Sequence, residues 1–182
     1  FTAESTTLTF TPTTGVEKLG GGTVVLNGAN NYTGVSFIAD GILRANLLTD
    51  GGVPGSLGSS NGAVGNLVFN GGELQYVGEN GQTNRGFTVS DFATINVGHE
   101  RTLANFSGAI SSGLDRLQKD GPGTLELNGN ANLASMRVEQ GRLLLQSVDT
   151  NPAPATFSAN NFSQSALTSL ILGGGTLELR GA

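Results

Sequence analysis

Residues 18–28 read KLGGGTVVLNG, and residues 119–129 read KDGPGTLELNG, so one pattern occurs twice at an offset of 101 residues. Two further pairs match in the same order: DGILRA at 40–45 with QGRLLL at 140–145, and LVFNGGELQY at 67–76 with LILGGGTLEL at 170–179. Ordered matches at a nearly constant offset predict a solenoid, in which each unit packs against its neighbours. The unit is about 100 residues long, so the chain holds more than one copy.

Inside these stretches, apolar and polar residues alternate with a period of two. Leu125 and Leu127, for example, alternate with Thr124, Glu126 and Asn128. This pattern is typical of a strand with one buried and one solvated face. The strands are short and are separated by Gly-Gly, Asn-Gly and Asp-Gly steps, which permit tight corners.

The composition also favours an all-β protein with many turns. Glycine supplies 29 of the 182 residues and charged residues only 13%, which leaves little material for the solvated faces of helices. A net charge of −5 argues against a nucleic-acid partner. The absence of cysteine excludes disulfides and thiolate metal sites.

Two all-β architectures can hold such strands, a sandwich and a parallel β-helix. A sandwich gives no reason to reuse strand sequences at a spacing of 101 residues, whereas a β-helix needs only that each coil stacks on the previous one. The repeat therefore predicts a single-stranded parallel β-helix of about seven coils. We expect one segment over residues 1–182 of a longer protein, with units at about 18–117 and 119–182, the second incomplete.

The alternation also predicts which side chains fill the interior, because inward positions of a solenoid stack coil upon coil. The predicted core residues are Val24, Leu26, Leu43, Leu67, Phe69, Leu74, Tyr76, Ile95, Val97, Leu103, Leu125, Leu127, Val138, Leu143, Leu145, Leu170, Leu172, Leu177 and Leu179. Strand patterning also reaches Leu8 and Phe10, so we expect interior coils at both ends and end-to-end self-association.

The repeated stretches resemble a known family. KLGGGTVVLNGANNYTG followed by IADGILRAN is similar to the passenger-associated transport repeat of bacterial autotransporters, which use type V secretion. KDGPGTLELNGNANLASMRVEQGRLLL resembles a second copy, although Leu133 and Ser135 replace Tyr32 and Gly34 of the first. The resemblance implies a right-handed parallel β-helix carried outside the cell.

The same resemblance implies a function. Such passengers are exported across the outer membrane to the cell surface or are secreted, through a C-terminal membrane barrel that we expect elsewhere in the full-length chain. They commonly act as adhesins, self-association factors or stalks, and the repeat is associated with secretion and folding of the passenger. The implied role is a non-enzymatic stalk whose partners are host or neighbouring-cell surface molecules, or further copies of itself.

The sequence contains no recognisable catalytic, cofactor or metal motif. The only imidazole is His99, and the glycine-rich strings lack the spacing of phosphate-binding loops. An alternative is a carbohydrate-active β-helix enzyme, a polysaccharide lyase or hydrolase, which needs clustered carboxylates. Asp91, Asp115 and Glu139 are spaced by 24 residues, near one coil, but stacked like charges repel, so we expect solvated carboxylates here.

One surface is a candidate for interaction, because three predicted outward positions are apolar in the first repeat and charged in the second. They are Val25, Phe37 and Ile42, with the counterparts Glu126, Arg137 and Arg142. If uncovered and contiguous, they form an adhesive or self-association patch, with Phe37 as its anchor. The alternatives are that residues 46–65 fold over them, or that they lie on different faces of the coil.

Overall fold

The protein is described by a computed structural model over residues 4–5, 14–112, 116–131, 133–146 and 169–180. Within these ranges the regular structure is β-strand, apart from one short 3-10 helix at Val64–Asn66. The strands are β1 (Glu4–Ser5), β2 (Val16–Lys18), β3 (Thr23–Leu26), β4 (Ser36–Ile38), β5 (Ile42–Ala45), β6 (Leu67–Phe69), β7 (Glu73–Tyr76), β8 (Gly81–Thr83), β9 (Phe87–Val89), β10 (Phe92–Val97), β11 (Leu103–Phe106), β12 (Ile110–Ser112), β13 (Arg116–Asp120), β14 (Thr124–Leu127), β15 (Ser135–Val138), β16 (Arg142–Gln146), β17 (Ser169–Leu172) and β18 (Thr176–Arg180).

The strands form three sheets in which all neighbouring strands run parallel. The long sheet has the order β1-β3-β5-β7-β10-β13-β15-β17, the N-terminal sheet β2-β4-β6-β9-β12, and the C-terminal sheet β8-β11-β14-β16-β18. Consecutive strands of the chain lie in different sheets, and each pairs with the strand one coil away. This arrangement confirms the predicted parallel β-helix; the right-handed sense and the number of coils stay predictions.

The core is a column of side chains that the three sheets enclose. Along the long sheet, Leu43, Leu74 and Ile95 are in register, so one inward position repeats from coil to coil. Phe69, Phe87 and Phe106, on β6, β9 and β11, pack edge to face, with ring centroids 5.5 and 5.8 Å apart. Aromatic pairs prefer this geometry, and it adds to the burial of their area.

Most of the predicted core is confirmed, with three exceptions at the last described coil. Leu170, Leu172 and Leu179 are 42%, 55% and 47% exposed, so the prediction that they are buried is wrong. Their strands, β17 and β18, have a neighbour on one side only within the described residues, so no second coil covers them. A further set is half-buried: Val24, Leu103 and Leu177.

The two repeat copies lie on different faces of the β-helix. In the first copy, β2 and β4 belong to the N-terminal sheet and β3 and β5 to the long sheet. In the second copy, β13 and β15 belong to the long sheet and β14 and β16 to the C-terminal sheet. The second copy is therefore shifted by one sheet around the axis of the β-helix. Both copies span a corner between two adjacent sheets.

Residues 46–62 contain no strand. They close the first coils on the side where the N-terminal and long sheets are absent. They follow the long sheet, at the place where later coils have a strand of the C-terminal sheet. Their Leu48 and Leu57 join the interior core. The guanidinium of Arg85, a buried residue, donates hydrogen bonds of 2.8 Å to the Gly58 carbonyl and to Ser60 Oγ, which ties this loop to the stack.

Candidate interaction surface and lysine corners

The first lysine corner joins β2 to β3 and contains a buried ammonium group. Lys18 is 2% exposed, and its Nζ donates hydrogen bonds to the carbonyl oxygens of Leu19, at 3.1 Å, and Gly20. A third bond of 3.0 Å runs to the carbonyl oxygen of Asp40, in the next coil. All the donor capacity of the ammonium is thus used by backbone carbonyls.

The second lysine corner, between β13 and β14, repeats this geometry on another face. Lys119 is 1% exposed, and its Nζ donates to the carbonyl oxygens of Asp120 at 2.6 Å and Gly121 at 2.7 Å. Its third bond, of 3.2 Å, again crosses to the next coil, at the Gln140 carbonyl. These two residues are the only lysines in the sequence, and both donate three hydrogen bonds to backbone carbonyls.

Each lysine corner is one residue longer than the corner stacked on it. Five residue steps separate Lys18 from Thr23, whereas four separate their partners Ile38 and Ile42. The same difference holds in the second copy. A longer corner has carbonyl groups that the next coil cannot pair with, and a buried carbonyl without a hydrogen bond is destabilising.

The backbone bonds around the first corner show which carbonyls are left over. The amides of the next coil bond the carbonyls at the two ends of the corner: Ala39 N to Lys18 O at 2.9 Å and Ile42 N to Gly22 O at 3.0 Å. Three carbonyls lie between them, those of Leu19, Gly20 and Gly21, and Lys18 Nζ binds the first two. The ammonium therefore supplies a donor to two of the carbonyls that the amides of the next coil do not bond.

The stacked corner requires glycine. Gly41 has φ of +62°, and a Cβ there would lie 2.4 Å from the Gly22 oxygen and 2.6 Å from Lys18 Nζ. Gly141 holds the same place in the second copy, with φ of +63°. Only glycine combines this left-handed conformation with so close an approach, which explains the Gly-x-Leu part of the repeat.

The electrostatics of the second corner are dominated by burial. Removal from water lowers the pKa of Lys119 to about 8, and the nearby Asp120 carboxylate partly opposes this shift. Among the ion pairs of the described residues, none includes a lysine. The positive charge is therefore held by peptide dipoles rather than by a salt bridge.

The predicted surface residues are distributed over two sheets. Val25 and Ile42 lie on adjacent strands of the long sheet; Val25 is 8% exposed and stands beside Arg44, and Ile42 is half-buried. Phe37 lies on the N-terminal sheet, half-buried and in register with Val68. The structure thus brings Val25 and Ile42 onto one face and Phe37 onto another.

Phe37 belongs to a group of outer apolar side chains that the sequence alone did not reveal. Its register partners are Val68 on one side and the exposed Glu17 on the other, and Val35, two residues earlier in the chain, is 38% exposed. Leu19 is 61% exposed in the corner that follows β2. We call these four residues, Leu19, Val35, Phe37 and Val68, the outer apolar patch.

Part of the loop that we expected as a possible cover reaches the outer row: the Val64 carbonyl accepts a hydrogen bond of 3.0 Å from Thr88 Oγ1, and Thr88 is the register partner of Val68. Earlier residues of the loop make their hydrogen bonds elsewhere. Ser59 N donates to the Tyr32 carbonyl at 2.7 Å, and Gly51 N donates to Asn84 Oδ1 at 2.8 Å. Asn84 directly follows β8 of the C-terminal sheet. These contacts hold the earlier part of the loop on the side of the coil that the C-terminal sheet continues.

Two of the three carboxylates considered for an enzyme, Asp91 and Glu139, do not stack. Phe92 of β10 is in register with Arg116 and Ser135, so Asp91 precedes these strands while Glu139 follows them, at the other end of the long sheet. Asp115 lies outside the described residues. His99 is exposed in a turn, and no group of three metal-ligating side chains occurs in the described part of the chain.

Comparison with known proteins links this geometry to a family. The model of the passenger-associated-transport-repeat matches residues 16–45 and 117–145, and each match contains one lysine corner with the corner stacked on it. The Adhesin BmaC autotransporter of Brucella suis biovar 1 (strain 1330) is 38% identical over 188 residues. The chain is an autotransporter passenger segment.

The aligned region covers 100% of the passenger segment but 5% of the BmaC protein, so the segment spans about one twentieth of that relative. No solved structure matches it. As a passenger, the segment is exported across the outer membrane and exposed outside the cell. In the described residues, no helix has the length and hydrophobicity that a membrane span requires.

Proposed function

We propose that this passenger segment is a non-enzymatic stalk of a surface adhesin. The observation that carries the proposal is the continuous inter-coil pairing of the long sheet over a closed apolar core. Such a stack transmits load along its axis and needs no ligand to hold its shape. The similarity to an adhesin passenger agrees with this role.

The outer apolar patch is the part of the stalk best suited to adhesion or self-association. It lies on the first coils of the N-terminal sheet, and the same outer row is polar on both sides of it, at Glu17 and at Thr88 and Ser111. Apolar side chains grouped between polar positions of one outer row mark a candidate interaction site. Its partners are host or neighbouring-cell surface molecules, or a second copy of the stalk.

The lysine corners are the part of the stalk suited to secretion and folding. Each one satisfies the carbonyls of its own coil and reaches the next, so it couples neighbouring coils without any external factor. A passenger that must become ordered outside the cell gains from such built-in contacts. The C-terminal membrane barrel used for export is expected elsewhere in the full-length protein.

The experiment that tests the adhesive role compares Phe37→Arg with Ser111→Arg. Both positions lie in the same outer row, but Ser111 is exposed and outside the outer apolar patch. We expect Phe37→Arg alone to reduce binding to cultured cells or self-association in sedimentation, at an unchanged melting temperature. If both variants bind and associate like the parent, this patch is not the adhesive surface.

A further inference from the structure

The three acceptors of each corner lysine belong to two different coils. Two carbonyls lie in the lysine's own corner, and the third lies in the corner stacked on it, at Asp40 for Lys18 and at Gln140 for Lys119. The hydrogen-bond shell of the ammonium is therefore complete only after the next coil has docked. Both lysines are almost fully buried, so water does not supply the third acceptor.

We propose that each lysine corner is a folding latch, which commits two consecutive coils to the folded state as one unit. Docking of the second coil simultaneously buries the ammonium, completes its bonds and pairs the ends of the two corners. The two latches then define where the passenger segment begins to fold. This inference rests on the proposed stalk function, but it concerns the order of folding and not adhesion.

Simple packing does not account for a lysine at these positions. Lys119 stands in an inward row between Ile95 and Val138, and Lys18 pairs with Ile38, so apolar side chains fit the neighbouring places. A lysine that only filled space would be replaced by methionine without loss, because the two have similar length and volume. The donors of the ammonium, and not its stem, distinguish the latch from a packing residue.

The first test measures folding kinetics of Lys18→Met, Lys119→Met and the control Arg101→Met, whose side chain is exposed. Loss of a charge-assisted hydrogen-bond set that forms early should slow refolding about tenfold or more and change unfolding less. Arg101→Met should refold like the parent. Refolding within twofold of the parent, with the whole effect in faster unfolding, would overturn the latch.

Chemical rescue distinguishes the effect of the N–H hydrogen-bond donors from the effect of the positive charge. Lys119→Ala leaves a space lined by three carbonyls, and we expect n-propylammonium to restore much of the refolding rate. Tetramethylammonium at the same concentration is a matched control, because it carries the charge but has no N–H donor. Equal effects of the two ions would contradict the proposal, since they would reflect ionic strength alone.

A third measurement needs no variant and so remains decisive if the variants fail to fold. The parent chain has two lysines and an α-amine, and it has two tyrosines but no tryptophan. Pulsed amine labelling during refolding should find both lysines protected by the time the tyrosine fluorescence change is complete. Lysines that still react after that change would show that the corners close late. Adhesion is assayed separately through Phe37→Arg, so the two proposals fail independently.

Discussion

At the scale of the residue, the passenger segment depends on a charge that is stabilised by peptide groups. Lys119 is buried among carbonyl oxygens, and its ammonium donates to three of them. Burial acts against the charged form, while the carbonyl bonds make the buried group tolerable. Lys119 therefore makes structural hydrogen bonds and also titrates within the pH range of a stability measurement.

The lowered pKa of Lys119 predicts how stability depends on pH. The folded pKa is about 8 and the reference value is 10.5, so between these values the unfolded chain binds a proton that the folded chain has lost. Stability should therefore rise with pH in this window, by about 1–2 kcal/mol between pH 8 and 9.5. Tyr32, with its pKa raised to about 12, opposes this rise only above pH 10.

Urea unfolding at several pH values measures this effect. The parent should gain stability from pH 8 to 9.5, whereas Lys119→Met should show no such gain because it lacks the titrating amine. A parent curve that is flat or falls over this window, like that of the variant, would contradict the burial of a charged lysine.

The glycine of the stacked corner makes a second prediction at this scale. Gly41→Ala places a methyl group against the Gly22 carbonyl at a positive φ, so it should destabilise the protein by about 2 kcal/mol or more. Gly21→Ala is the matched control, because a Cβ there meets no atom within 4 Å and its φ is not positive. Thermal unfolding that ranks the two variants equally would count against this corner geometry.

At the scale of the element, the period-two pattern predicted the strands but not which sheet each strand joins. The alternation in the sequence predicted inward positions such as Leu74 and Leu127 correctly, because a half-buried strand imposes it. The shift of the second copy by one sheet was not predictable, since the same corner pattern fits any junction between two sheets. Matched positions of the two repeats therefore face different surroundings.

Other parts of the structure had no readable signal in the sequence. Phe87 lies in a three-residue strand, too short to display periodicity, yet it is fully buried between two other rings. Arg85 looks like a surface residue, and only the tertiary fold reveals its carbonyl and hydroxyl partners. Lys18 and Lys119 were visible as matched residues, but their burial and their carbonyl partners in the next coil depend on the tertiary fold.

A prediction at this scale compares two leucines in one inward row. The register links Leu127 to Leu145 and Leu145 to Leu179, but Leu127 is 0% exposed and Leu179 is 47% exposed. Leu127→Ala should cost about 2–5 kcal/mol, because it leaves a cavity inside the stack. Leu179→Ala should change stability by well under half of that, and similar losses in chemical denaturation would contradict the described core.

At the scale of the whole molecule, the passenger segment is a stack whose outer surface changes along its length. The outer apolar patch occupies the early coils, and threonine and serine replace it further along the N-terminal sheet. At the last described coil, Leu170 and Leu172 are exposed and give that coil an apolar face. A stalk of this kind carries the outer apolar patch on a stack of similar coils, and the lysine corners link neighbouring coils of that stack.

The most direct test of the account is amine labelling of the native protein at equilibrium, followed by mass spectrometry. Reductive methylation in native buffer should modify the α-amine but leave Lys18 and Lys119 unmodified, because both are buried in their corners. In denaturant all three amines should react, which confirms that the lysines are chemically competent. Reaction of either lysine in native buffer at the rate seen in denaturant would contradict the account.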